Sequence, residues 1–347
     1  MATLQQNQGD LSNRGTKSEL ERTFKWIEEA DYEVKIVVAG NHDVSLDPEF
    51  YAKHGSHFHG DSTGREKNAT SIDIVNKFKD KSATPKSIIF LNHEYAAIKL
   101  TRPDGPHTMF KVFGSPFSRF SGLWAFGYSS LPEDGDRLWS QIPLDTDILV
   151  THTPPLGLCD RQPGENTPTD TPGSGSGVYG CKQLLHVMGN IRPMLAVCGH
   201  IHEGRGYQRV MWHEAENGFA SPMTTTVAPL PSISSKKQNL IDLTGKKQRA
   251  LENRGSHTTQ PYSLEGGDAH ANRRLRKETC IVNAAIMARS WPYIGGKAFN
   301  RPIVVDINLP VWNDASLSAH GTTSKRRPIS RVYNCPGQSS DLWCEET

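Results

Sequence analysis

No stretch of the chain approaches the ~18 consecutive apolar residues of a membrane-spanning helix, and the opening MATLQQNQGD lacks the apolar core of a signal peptide. The six cysteines (Cys159, Cys181, Cys198, Cys280, Cys335 and Cys344) form neither a CxxC pair nor a zinc-ribbon spacing, so they read as reduced thiols in a cytoplasmic protein. An excess of one charge is missing too. Lys+Arg 39 against Asp+Glu 37 leaves a formal +2, which gives no reason to expect nucleic acid or an anionic membrane as partner. There is no internal repeat. What remains is a 347-residue chain with 30 glycines and 22 prolines, rich in loops and long enough to bury a core without disulfides or metals.

Order along the chain is read from periodicity. Residues 1–8 are polar and are expected to be disordered. Thr16 and Glu19 make a capping box, and Leu20, Phe24, Ile27 and Ala30 follow at helical spacing, so the pattern predicts an amphipathic helix over 17–30. Short β-branched or apolar runs at 34–39, 88–91, 109–113, 148–150 and 195–197 alternate with helical or loop segments, which is the rhythm of an α/β fold. Residues 231–278 change character and read as a polar insert, loop or disordered. Lys236 to Glu278 holds ten Lys/Arg against five Asp/Glu, so the basic charge is local and the remainder is slightly acidic. Strand-like runs resume at 280–288 and 303–309, before a polar tail over 313–347.

Chemistry collects at the ends of the predicted strands. GDLSNRG (9–15), GNHD (40–43), THTPP (151–155) and GHIH (199–202) supply a carboxylate, an amide oxygen and several imidazoles beside tight turns. Ligands of open α/β sheets bind beyond the carboxyl ends of the strands, so clusters distant in sequence can meet there. A mixed oxygen and nitrogen donor set suits Mn, Fe or Zn better than Ca or a thiolate site. His54, His57 and His59 fall in a stretch read as a polar loop after GNHD, and His93 follows a strand; none of them is given a metal role. Trp124, Trp139 and Trp291 read as core residues.

These four motifs in this order resemble the calcineurin-like metallophosphoesterase superfamily, whose pattern is D-x-H, GD, GNH(D/E), H and GH-x-H. The resemblance runs from residue 9 to about 312. The surrounding text (AGNHDVSLD, LNHEYAAI, VTHTPPLG, CGHIHEGRG, ETCIVNAAIMA, PIVVDINLPVW) looks like the branch of the brain metallophosphoesterase-domain proteins and their fungal relatives. It implies a β-sandwich flanked by helices (α/β/β/α), with the phosphoesterase domain over 9–230 and 279–312. It further implies two divalent ions, Mn, Fe or Zn, roughly 3.5 to 4 Å apart, that clamp a phosphate ester and activate water. By that resemblance Asp10 bridges both metals; Asn41, His152 and His200 complete one shell and His202 belongs to the other. His42 protonates the leaving oxygen, Asp43 orients its imidazole, and Arg14 contacts phosphate oxygens.

The chain departs from the pattern at its start. Before Asp10 stands only MATLQQNQG, with no D-x-H, so the sheet is expected to lack its first strand, in the manner of a truncated gene model or an alternative start. The first metal would keep only Asp10 and His202, so one ion in place of two is the expectation for this chain. The expected function is hydrolysis of phosphomonoesters or phosphodiesters, with a small phosphate ester, a nucleotide among the candidates, as substrate. The alternative is a non-catalytic scaffold or regulator of the same fold with at most one metal. Loops 54–86 and 156–179 are expected to select the substrate.

Overall fold

The computed structural model of the chain describes residues 2–8, 10–60, 73, 76, 88–103, 105, 107–119, 122–129, 131–160, 180–214, 220–228, 239–253, 276–287, 299–310 and 330–334. Its strands are β1 (Ala2–Gln8), β2 (Val34–Val38), β3 (Ile88–Phe90), β4 (Glu94–Lys99), β5 (Met109–Ser115), β6 (Ser118–Arg119), β7 (Gly127–Tyr128) and β8 (Ile148–Thr151). They continue with β9 (Leu195–Cys198), β10 (Gly206–Glu214), β11 (Ala220–Ala228), β12 (Asn239–Asp242), β13 (Glu278–Asn283), β14 (Ile303–Ile307) and β15 (Ser330–Asn334). The helices are α1 (Lys17–Glu29), α2 (Pro48–His59), α3 (Pro132–Trp139) and α4 (Lys182–Ile191).

Two sheets face one another. One runs β12-β14-β15-β1-β2-β3 and the other β11-β10-β13-β9-β8-β5-β4. Successive side chains of a strand point to opposite faces, and in β2, β8 and β9 both faces are buried, which is why these central strands are almost wholly apolar rather than alternating. Val34, Ile36 and Val38 join Ile148, Val150, Leu195, Val197, Cys280 and Val282 in the core between the sheets. The intervening Val37 and Ala39 pack outward with Leu20, Phe24 and Ile27 of α1. On the other side Leu149, Ala196 and Ile281 pack outward with Trp139 of α3 and Leu184 and Met188 of α4. The result is the expected helix, sheet, sheet, helix stack. Each large side chain taken fully out of water contributes about 1.5–3 kcal/mol.

Helix α1 starts where the sequence places it. Thr16 Oγ1 accepts from Glu19 N at 3.3 Å, while the Glu19 carboxylate accepts from Thr16 N at 3.1 Å. Among the described residues no helix is long and apolar enough to cross a membrane.

Four sequence expectations are corrected. Residues Ala2–Gln8 are not disordered: they form β1, parallel to β2 on one side and to β15 on the other. The sheet has no gap beside β1, because β15, from within the stretch read as tail, stands between β1 and β14. Strand pairing runs through main-chain N–H and C=O groups, so the polar sequence that argued for disorder does not prevent it. The 231–278 stretch contains an ordered piece: Asn239–Asp242 is β12, paired with β14. Ile241 and Leu243 are buried there, and Glu278 fixes the following turn through Arg249 Nη2 at 2.8 Å and Glu252 N at 2.8 Å. Finally, His54, His57 and His59 lie on α2 and not in a loop. Asp47 caps this helix through Phe50 N at 3.0 Å, and Pro48 takes the first helical position, where a missing N–H does no harm. Residues 61–72, 161–179, 254–275 and 311–329, and with them most of the loops expected to select substrate, lie outside the described residues.

Candidate metal centre

The carboxyl ends of β1, β2, β8 and β9 converge. Asp10 follows β1, Asn41 and His42 follow β2, His152 follows β8 and His200 follows β9. One ligand atom from each of Asp10, His152 and His200 lies within 4.8 Å of the other two. His152 Nε2 is 3.6 Å from Asp10 Oδ1 and 2.8 Å from Asn41 Oδ1, and the His152 and His200 ring centroids are 4.6 Å apart. The four donors thus come from both sheets and address one point, with His152 and Asn41 buried.

Backbone geometry makes this approach possible. Asp10 and His200 both sit at positive φ, 48° and 64°. The left-handed region costs a residue with a Cβ roughly 1 kcal/mol or more and persists only where the surroundings enforce it. Gly40 has a different reason for its identity. A Cβ there would overlap the Asp10 backbone N and Oδ1 and would lie 2.7 Å from His152 Cε1. The missing side chain is what lets the β1 and β8 ligands close on each other.

The protonation states suit a cation. Burial and the neighbouring His152 push the His200 imidazole down to about 3, so it is neutral with a lone pair to donate. Burial acts to raise Asp10, but His152, His42 and His200 together with the His42 N–H outweigh it, and the carboxyl is held below its ordinary value. An ionised carboxylate, an amide oxygen, the neutral His200 imidazole and the His152 ring fit a divalent ion such as Mn, Fe or Zn.

His42 flanks this centre. Its N–H donates to Asp10 Oδ1 at 3.1 Å and its Nδ1 lies 2.8 Å from Asn13 O. A carbonyl only accepts, so Nδ1 carries the proton and Nε2 is the atom left to exchange one. The Asn13–Arg14 turn is held in place by α2: His59 Nε2 is 2.8 Å from Arg14 O and Tyr51 Oη is 2.7 Å from His59 Nδ1. Trp124 packs its ring 4.0 Å from that of His42.

The expected orienting role of Asp43 does not match its contacts. Its carboxylate accepts from Leu11 N at 3.0 Å, Ser12 Oγ at 2.6 Å and Gly40 N at 2.8 Å, tying the loop after β1 to the loop after β2. Burial and then the Asp10 charge push Asp43 up to about 7 against these bonds. The main-chain carbonyl of Asn13 orients His42 instead, a contact no sequence motif advertises. His202 lies just past His200 but is not one of the three residues whose ligand atoms meet. The Arg14 side chain is exposed, and only its main chain enters this network. Trp124, expected in the core, is half-buried beside His42, whereas Trp139 is fully buried as expected. Gly9 and Trp291 lie outside the described residues.

A family model described as calcineurin-like phosphoesterase matches residues 6–204, a span that contains every residue of this centre. Metallophosphoesterase domain-containing protein 1 of Homo sapiens is 31% identical over 204 residues, covering 57% of this chain and 53% of that protein. A UPF0046 protein of Caenorhabditis elegans, K07C11.7, is 27% identical over 199 residues, 57% of this chain and 56% of its own length. A protein of Emericella nidulans named probable rhamnogalacturonate lyase C is 32% identical over 217 residues, 62% of this chain but only 17% of that protein. The match thus spans about half the length of the first two relatives and a small part of the third.

Proposed function

The chain belongs to the calcineurin-like phosphoesterase family, and from that premise we propose that it is a metal-dependent hydrolase of small phosphomonoesters or phosphodiesters, acting in the cytoplasm. The observation that carries this reading is the convergence of Asp10, Asn41, His152 and His200 around the space that Gly40 keeps clear. A divalent ion, Mn, Fe or Zn, held by these four would polarise a phosphoryl oxygen and supply water acidic enough to attack phosphorus. Nucleotides are among the substrates the reading admits.

The protein's own groups divide the remaining work. Asn13 O fixes the His42 ring with Nδ1 protonated, so a protonated His42 presents its second proton at Nε2 to the leaving oxygen as the P–O bond breaks. Trp124 restricts the ring from one face. Asp43 keeps Leu11 and Gly40, and through them Asp10 and Asn41, in register.

The test is hydrolysis of mono- and bis-4-nitrophenyl phosphate by wild type and His200→Ala with Mn, Fe or Zn supplied. Metal-dependent turnover lost in His200→Ala supports the reading; equal turnover in both sinks it. His42→Ala should retain its metal yet lose about 100-fold in kcat on alkyl phosphates, and much less on nitrophenyl esters, whose leaving group needs no proton. A uniform loss on both would remove the acid role from His42. A second reading, a metal-holding protein without turnover, is favoured by the position of His202 outside the cluster. Stoichiometric metal with no hydrolysis of any ester would select it.

A further inference from the structure

A cavity of about 500 Å³, within the size range of small-molecule sites, has in its wall Trp124, the ring that packs on His42. Its apolar lining comes chiefly from Phe50, Phe117, Trp124 and Phe126, and its polar lining from Asp47, Glu49, Lys53, His54 and Asn92. Trp124 apart, nothing in the proton and metal chemistry above uses it.

One wall is tied to the loop that carries Asn41. Ala125 N donates to Asn41 O at 3.2 Å, so the residue after Trp124 is bonded to a donor residue of the centre. Phe126 N donates to Asp47 Oδ2 at 3.0 Å, and the other oxygen of Asp47 caps α2. One carboxylate therefore joins the two sides of the cavity. The rings form an unbroken arc that starts at His42: Trp124 at 4.0 Å, Phe58 at 5.4 Å from Trp124, Phe50 at 5.9 Å from Phe58 and His54 at 4.9 Å from Phe50. Leu123, also in the lining, is 41% exposed. A wall of aromatic rings favours a flat ring, which gains from edge and offset contacts that an alkyl chain does not make.

We infer that this cavity is the subsite for the alcohol portion of the substrate and selects phosphate esters whose leaving group carries an aromatic ring. The inference rests on the phosphoesterase reading for the position of the phosphate. His42 protonates the leaving oxygen, so the carbon group on that oxygen extends past His42 toward Trp124 and Phe50. Trp124 then has two roles, restricting His42 on one side and walling the subsite, which couples leaving-group fit to the position of the acid.

Binding of non-hydrolysable phosphonates tests the assignment without turnover. Ethylphosphonate, 2-phenylethylphosphonate and 2-cyclohexylethylphosphonate are titrated calorimetrically into Mn-loaded wild type, Trp124→Leu and Phe50→Ala, each checked for a cooperative melt. Expected is at least tenfold tighter binding of the phenyl than the ethyl compound, reduced to threefold or less in Phe50→Ala and Trp124→Leu, with ethylphosphonate unchanged in Phe50→Ala. Equal affinity for phenyl and ethyl in wild type, or for phenyl and cyclohexyl, overturns the inference. So does a phenyl preference that survives both substitutions. Failure of ethylphosphonate to bind at all counts against the phosphoesterase reading and leaves the cavity to a separate measurement, saturation-transfer NMR with 2-phenylethanol. Transfer to the ring protons that disappears in Phe50→Ala keeps the aromatic subsite; no transfer in wild type overturns it.

Discussion

Gly40→Ala is expected to abolish hydrolysis and to weaken divalent-metal binding by about 100-fold or more, close to 2.7 kcal/mol. The added Cβ would have to occupy space held by the Asp10 backbone N and carboxylate, and it would press on His152 Cε1 at 2.7 Å. Backbone cannot swing aside as a flexible side-chain tip can, so the loop after β1 must move and take Asp10 with it. Overpacking of this kind usually costs the fold about 1–3 kcal/mol, well short of unfolding a domain of this size. The effect is therefore expected in the metal titration and not in the melt. Wild-type metal affinity in a folded Gly40→Ala protein would show that Asp10 does not depend on this approach.

Asp43→Ala is expected to act in the opposite way, on the fold first. Removing the carboxylate leaves Leu11 N–H, Gly40 N–H and the Ser12 hydroxyl without their acceptor in a buried setting. Each of the three buried orphans costs about 1–3 kcal/mol, so the sum is roughly 3–9 kcal/mol, and the thermal midpoint should fall by roughly 4–12 °C. Asp43→Asn separates this role from catalysis. Its single carbonyl oxygen can take over the two N–H donors that now share Oδ2, while its amide can donate to Ser12 Oγ. It should keep a near-wild-type melt and most of the activity. A folded Asp43→Asn protein with hydrolysis reduced a thousandfold would return Asp43 to a direct chemical role.

What could be read from the sequence follows from how local each signal is. The capping box at Thr16 and the apolar spacing of α1 are contained within a dozen residues, and the VKIVV run is buried on both faces, so both stand in the structure where expected. The donors Asp10, Asn41, His152 and His200 were legible because each follows a strand end within a short motif. Three kinds of feature were not. The polar β1 and β15 are held by main-chain pairing, which carries no apolar pattern. In α2 the run from His54 to His59 includes Gly55 and Ser56 and masks a helix that only Asp47 and Pro48 announce. The orientation of His42 by Asn13 O, and the support of that turn by Tyr51 and His59, join segments 29 and 45 residues apart through carbonyl oxygens that every residue possesses. Trp124 belongs with these, since its value lies in the neighbours that Ala125 N and Phe126 N bring to it.

The most direct measurement is metal content by mass spectrometry after dialysis against Mn, Fe or Zn, made in parallel on wild type, Asn41→Ala and His200→Ala, with folding verified by melt. Expected is at least one divalent ion per wild-type chain, falling below about a tenth of that in His200→Ala and to an intermediate level in Asn41→Ala, because a neutral amide oxygen is the weaker ligand and an imidazole the stronger one. Folded wild-type protein without stoichiometric metal, or metal content unchanged in His200→Ala, would contradict the assignment of Asp10, Asn41, His152 and His200 as the centre of this protein.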